Sequence, residues 1–198
     1  MLDQEAVLRS YAQAADEAHA ALTELDQRSG DGDFGDNLRG GLRDAVARFE
    51  EGGVSPFGAL GEVFLDEVGG TSGPLLGLLF TEIALALDDG RGLGAGARAG
   101  LEAIQRVGEA RVGDRTMVDA LAPAVDAFAT GSLTEAARAA KAGADGTAAL
   151  RARMGRASYV GERAKGEPDP GAVGIALFFW AAATTAHPGT ALDHPLAA

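Results

Sequence analysis

No cysteine occurs in the 198 residues, so disulfides and thiolate chemistry are both excluded. Histidine is nearly as scarce. His19, His187 and His194 lie far along the chain from the polar stretches described below, which makes a histidine base a poor candidate. Aromatics contribute only 6%, and the wealth of alanine and leucine argues instead for tightly packed helices. Positive charge is short: 17 Lys and Arg against 29 Asp and Glu give a net charge of −12. Such a surface has no basic face for a phosphate backbone, which excludes nucleic acid as a partner. Any nucleotide must then be held through metal ions or a local basic cluster. The opening Met1-Leu2-Asp3-Gln4-Glu5 lacks the basic and apolar regions of a signal peptide. The longest uncharged run, Pro170 to Ala186, sits at the lower limit of membrane-spanning length and reads as a buried helix. A Walker A loop, an H-E-x-x-H helix and a G-x-S-x-G elbow are all missing. What remains is a cytoplasmic protein without a membrane segment, 46% hydrophobic, with enough apolar residues for one substantial core.

The chemistry is concentrated in Leu25-Asp26-Gln27-Arg28-Ser29-Gly30-Asp31-Gly32-Asp33-Phe34-Gly35-Asp36-Asn37. Asp26, Asp31 and Asp33 fall within eight residues, with glycines loosening the backbone around them. Carboxylates this close raise one another's pKa unless a cation neutralises them. Hard oxygen ligands on a flexible turn suit Mg²⁺, which takes a few carboxylates and shares its remaining positions with water and substrate phosphates. The segment Gly30 to Gly35 also spells G-x-G-x-x-G, but a dinucleotide loop should follow a strand and present bare amides, whereas here the preceding pattern is helical. An EF-hand starting at Asp31 fails because its twelfth position is Leu42. A Mg²⁺–nucleotide site and a solvated acidic turn both remain open on spacing alone.

The rest of the chain reads as about eight helices with short connections. Val7, Leu8, Tyr11, Ala15, Ala18, Leu22 and Leu25 form one apolar stripe that delivers Asp26 to a helix end. Leu38, Leu42, Ala45, Val46 and Phe49 form the next. Ser55-Pro56 marks a helix start, Ser132 with Glu135 a capping box, and Asp169-Pro170-Gly171 a cap for the last apolar helix. Gly69-Gly70-Thr71-Ser72-Gly73-Pro74 offers hydroxyls and free amides before a helix expected over 75–87. Gly108 to Met117 is a polar turn. Met154-Gly155-Arg156-Ala157-Ser158-Tyr159, continuing through Glu162 and Arg163 to Lys165, is the most basic stretch and suits phosphate or ribose contacts. The last residues, 187–198, are expected to fray, leaving 1–186 as the helical domain.

Four of these segments carry a resemblance. They are Leu25-Asp26 with Gly30-Asp31-Gly32-Asp33; Gly69-Gly70-Thr71-Ser72-Gly73-Pro74-Leu75; Gly113-Asp114-Arg115-Thr116-Met117-Val118-Asp119-Ala120-Leu121; and Gly155-Arg156-Ala157-Ser158-Tyr159 through Gly161-Glu162-Arg163 to Asp169-Pro170-Gly171. In this order the chain resembles the L subunit of dihydroxyacetone kinase, its nucleotide-binding part. The resemblance implies an all-α fold, an eight-helix antiparallel up-and-down barrel with a nucleotide pocket at one end. It implies that Asp26, Asp31 and Asp33 coordinate two Mg²⁺ ions holding the diphosphate of ADP or ATP. Phe34, Gly35, Asp36, Asn37, Thr71, Ser72, Gly108, Met117, Arg156, Asp169, Pro170 and Gly171 would line the nucleotide site.

The family's ketone is held on a separate K subunit, and the phosphoryl group crosses the interface between the two. In one branch the nucleotide is ATP. In the other, bound ADP is rephosphorylated by a phosphotransferase-system M subunit, and a chain without a fused K portion looks more like this branch. No covalent nucleophile is needed, because phosphoryl transfer depends mainly on positioning and charge neutralisation. Phe34 stands where the family more often has His or Thr, and Asp36 where a small or hydroxylated residue is common; the Phe34 amide would still offer a main-chain phosphate contact. The alternatives are a diverged paralogue acting on another small ketose, and a nucleotide-sensing or docking module that turns nothing over.

Overall fold

The structure, a computed structural model, describes residues 2–197, apart from the side chains of Glu162 and Arg163 in the basic stretch. Helix α1 (Gln4–Ser29) starts where the Asp3 carboxylate accepts from Ala6 N at 3.0 Å, and its whole predicted stripe is buried. Then come α2 (Phe34–Glu50), α3 (Pro56–Asp66), α4 (Ser72–Asp88) and α5 (Leu93–Gly108). After these follow α6 (Val118–Thr130), α7 (Leu133–Gly146), the single turn α8 (Ala157–Val160) and α9 (Pro170–Ala186). Among the described residues there is no strand. The caps act as the sequence predicts: Ser55 accepts from Gly58 N, Ser132 and Glu135 complete a capping box, and Asp169 accepts from Ala172 N. Helix α4 begins three residues before the expected Leu75. Pro74 falls in its first turn, where an amide would have no helical partner anyway, so the proline costs little there.

Consecutive long helices pack side by side, and α9 lies against both α7 and α1. This closes the eight long helices into a barrel. Short connections force neighbours to run antiparallel. Close approach is bought by small residues; a Cβ at Gly96 of α5 would lie 2.5 Å from the Ile83 Cα of α4. The barrel's interior is filled by the chain's few aromatics. Phe80 of α4 sits at the centre, with ring centroids 5.5 Å from Phe178, 5.6 Å from Phe64, 6.2 Å from Tyr11 and 6.5 Å from Phe57. All four pairs are tilted or edge-to-face rather than stacked face to face, as aromatic quadrupoles favour. The fully buried Tyr11 hydroxyl donates to Gly174 O at 3.0 Å, and burial pushes its pKa upward. Helix α9 is apolar nearly all round because both its flanks and its inner face are covered, so its run is a core element. No helix among the described residues is long and apolar enough to cross a membrane. Past Ala186 the backbone is irregular; Trp180 Nε1 donates to Leu192 O at 3.4 Å, and its ring meets His194 edge to face.

Alternation of direction has a consequence for the site. The connections 30–33, 67–71, 109–117 and 147–169 all emerge at one end of the barrel, with the N-termini of α2, α4, α6 and α9. The opposite end has the short connections 51–55, 89–92 and 131–132, together with the start of α1 and the segment after α9. Length and polarity are therefore concentrated at a single end.

Candidate nucleotide and metal site

Asp26 is the organiser of the acidic turn. It is buried on the last turns of α1, where its Oδ2 accepts from Gly32 N at 3.0 Å and from Phe34 N at 3.1 Å. Gly30 N donates to the Asp26 carbonyl at 2.5 Å, and Gly32 takes φ +84°, a left-handed conformation that glycine adopts without cost. The folded-back turn brings one carboxylate oxygen of each of Asp26, Asp31 and Asp33 within 4.8 Å of one another. Crowding has an electrostatic signature. The Asp33 carboxyl is raised above its ordinary value, first by partial burial and then by Asp31 and Asp26, with a hydrogen bond from Asn37 in opposition. A divalent cation relieves this repulsion, and an all-oxygen donor set of this size fits Mg²⁺.

The turn forms one wall of a cleft of about 240 Å³ at the end of the barrel. Thr71 and Ser72 open α4 on another side, with no side-chain cap bond at that helix start. Leu75, Ile104 and Gly108 supply an apolar wall, Met117 and Val118 open α6, and Asp169, Pro170 and Gly171 open α9. Arg156 reaches over the mouth, its Nη1 at 2.7 Å from Asp31 Oδ2. Phe34 also lines the cleft, but its ring turns inward against Gly174 of α9. Its amide, expected to be open to a phosphate, is already donated to Asp26. Gly35 and Asp36 are not brought to the cleft. A helix turns about 100° per residue, so once α2 starts at Phe34 the next two positions rotate away. Gly35 packs against the His19 carbonyl of α1, and Asp36 pairs with His19 Nε2 at 2.7 Å on the outside. Asn37 returns to the rim beside Asp33 and Gly70.

Several residues of the site were not singled out from the sequence. Asp119 is buried and accepts from Gly113 N at 2.5 Å and Thr116 N at 2.8 Å, folding the connection before α6 much as Asp26 folds the first. Arg115 lines the cleft while almost wholly buried, and Met154, Gly155 and Ala157 join Arg156. In the sequence Asp119 stands within Gly113 to Leu121, a segment that carries the resemblance, but nothing there gives it a role of its own.

Burial holds the Asp169 carboxyl well above the usual carboxylate range, at about 6, against the opposing effects of the Ala172 amide and Arg115. In the unfolded chain the group titrates near 4, so the folded protein holds the proton more tightly between the two values. The contribution is present at low pH and is lost as pH rises from about 4 to about 6. Asp169→Asn keeps an oxygen for the cap but removes the titration. The Tm difference between wild type and Asp169→Asn is expected to move against the wild type across that window, and a difference flat in pH would refute the assignment.

Residues 28–184 match the DAK2 domain. The chain belongs to the DAK2 domain family. Among relatives of this DAK2 domain is the ADP-binding subunit DhaL of a PEP-dependent dihydroxyacetone kinase from Listeria innocua, 37% identical, with 88% of this chain and 91% of that one covered. Another is the ADP-binding subunit DhaL of the PTS-dependent dihydroxyacetone kinase from Lactococcus lactis, 36% identical over 87% of this chain and 91% of that one. L-erythrulose 1-kinase from Mycolicibacterium smegmatis is 38% identical over 87% of this chain, which spans only 33% of that longer protein. The dihydroxyacetone kinase from C. freundii, solved in complex with AMP-PNP and Mg²⁺, superposes with a TM-score of 0.74 at 28% identity. That superposition covers 89% of this DAK2 chain and 32% of the kinase.

Proposed function

We propose that this DAK2 domain is the ADP-binding, Mg²⁺-dependent subunit of a dihydroxyacetone kinase, delivering a phosphoryl group to a ketone held on a separate K subunit in the cytoplasm. The observation that carries the reading is the convergence of Asp26, Asp31 and Asp33 at the mouth of a cleft whose opposite walls are apolar. In this reading the three carboxylates hold two Mg²⁺ ions, which when bound neutralise the phosphates and the charge developing on the transferred group. Thr71 and Ser72 offer hydroxyls and amides at a helix N-terminus, where phosphate oxygens are favoured. Leu75, Ile104 and Met117 give the base an apolar seat, and Arg156 adds a solvent-facing cation near the phosphates. The near full-length matches to two DhaL subunits support a phosphotransferase-system donor, with an M subunit rephosphorylating the bound ADP. A second ketose enters consideration through the similarity to L-erythrulose 1-kinase. A purely regulatory or docking role has no use for three converging carboxylates.

Calorimetric titration with ADP in Mg²⁺ is expected to show binding that largely disappears in EDTA, because the acidic turn alone repels phosphates. Undiminished binding in EDTA would mean that Arg156 and the helix N-termini, rather than metals, hold the nucleotide. Mixing with a K-type subunit, and supplying either dihydroxyacetone or erythrulose, then distinguishes the ketose.

A further inference from the structure

The largest fully buried side chain in the barrel is charged. Arg115 is 1% exposed, in the polar loop that precedes α6. Its own backbone is strained: φ is +62°, a left-handed value uncommon outside glycine. The strain is held by neighbours on either side, since the Gly113 and Thr116 amides are both fixed on the Asp119 carboxylate. From this position the guanidinium reaches across the cleft wall. Nη2 donates to Ala164 O at 3.0 Å and to Glu167 O at 3.1 Å, both on the long connection from α7 to α9. Nη1 faces Asp169 Oδ1 at 3.9 Å, beyond hydrogen-bonding distance, and among the described residues neither Nε nor Nη1, both buried, has a hydrogen-bond partner.

A buried cation with unmet donors is a poor way to stabilise a fold, because an apolar side chain of the same size is usually at least as good. Its placement suits another purpose. Three pieces of the cleft wall meet at this one side chain: the loop before α6 carrying Met117, the 147–169 connection carrying Met154 and Arg156, and the start of α9 at Asp169. The acidic turn is folded separately, by Asp26 and not by Arg115. We propose that Arg115 is a positioning residue for the nucleotide cleft. It clamps the 147–169 connection to the bases of α6 and α9, and tightens onto Asp169 when a nucleoside diphosphate fills the cleft. A small inward shift of Asp169 brings Oδ1 within reach of Nη1 and meets a donor that is otherwise unsatisfied.

The inference rests on the nucleotide reading above, and the experiment separates the two. Three properties are measured for wild type, Arg115→Met and Arg115→Lys: Mn²⁺ binding to the nucleotide-free protein, ADP binding in Mg²⁺, and tryptic cleavage after Arg151, Arg153 and Arg156 with and without ADP. Arg115→Met keeps the length and loses every donor. It is expected to bind Mn²⁺ as wild type does, but to lose roughly tenfold to a hundredfold in ADP affinity, the usual scale for hydrogen bonds from a charged group. ADP should shield the three arginines from trypsin in wild type and fail to do so in the variant. Arg115→Lys keeps the charge, but its flexible ammonium lacks the planar fork that reaches both carbonyls, so it should recover only part of the affinity. Wild-type ADP affinity and protection in Arg115→Met would overturn the proposal, as would parallel loss of Mn²⁺ and ADP binding in a variant with native helical content. If Arg115→Met does not fold, Arg115→Lys decides by the same split between the two ligands. Wild-type protein that takes Mn²⁺ but no ADP overturns the nucleotide reading itself, and this inference with it, before any variant is made.

Discussion

Asp31→Asn is expected to lower phosphoryl transfer in a system reconstituted with a K-type subunit by roughly a hundredfold or more, the scale on which deleting one electrostatic stabiliser acts. Stability should hardly change. Asp31 lies on the exposed side of the turn, where its ion pair to Arg156 is largely solvated. Exposed pairs contribute about 0–1 kcal/mol, and removing one of three crowded carboxylates returns some of that by relieving repulsion on Asp33. The metal-held phosphate, in contrast, depends on that charge throughout transfer. Product formation and thermal unfolding are measured on the same preparations. An active Asp31→Asn complex would overturn the metal mechanism. The wild-type chain alone should form no product from dihydroxyacetone with any nucleotide, and turnover by the isolated chain would overturn the subunit assignment.

The second large effect is on stability. Phe80 is wholly buried and touches the rings of Tyr11, Phe57, Phe64 and Phe178, so that α1, α3, α4 and α9 meet on it. Phe80→Ala removes those contacts and leaves a cavity that four packed helices cannot collapse, a loss of about 3–5 kcal/mol. For a domain of this size each kcal/mol shifts Tm by roughly 2–4 °C, which predicts a fall of about 10 °C. Circular dichroism melts check this directly. A fall under about 3 °C would mean that the ring cluster is not the centre of the barrel's stability. Because Phe80 is not among the residues that line the cleft, Mg²⁺ and ADP binding should persist below the new Tm.

Legibility in the sequence followed the range of the interactions. The stripe from Val7 to Leu25 and the caps at Ser55, Ser132 and Asp169 are set by residues within four positions of one another, and the structure reproduces each. The sequence pattern starts α4 at Leu75 and the structure starts it at Ser72, because Pro74 is tolerated in a first turn. In sequence Phe34 to Asn37 reads as one lining segment, but a helix beginning at Phe34 sends Gly35 and Asp36 away and commits the Phe34 amide to Asp26.

Local sequence by itself determined the helices, their caps and the closeness of Asp26, Asp31 and Asp33 along the chain, while their convergence in space took the turn folding back onto the Asp26 carboxylate. Only the closed barrel decided which distant segments share a cleft with them. The alternation of eight helices sends 30–33, 67–71, 109–117 and 147–169 to one end, and that is a property of the whole ring. The same closure buried Arg115 and Asp119, which read as ordinary polar turn residues until α6, α9 and the 147–169 connection packed around them. Burial is set by what packs over a residue, and the carbonyls that hold Arg115 lie 49 and 52 positions away along the chain.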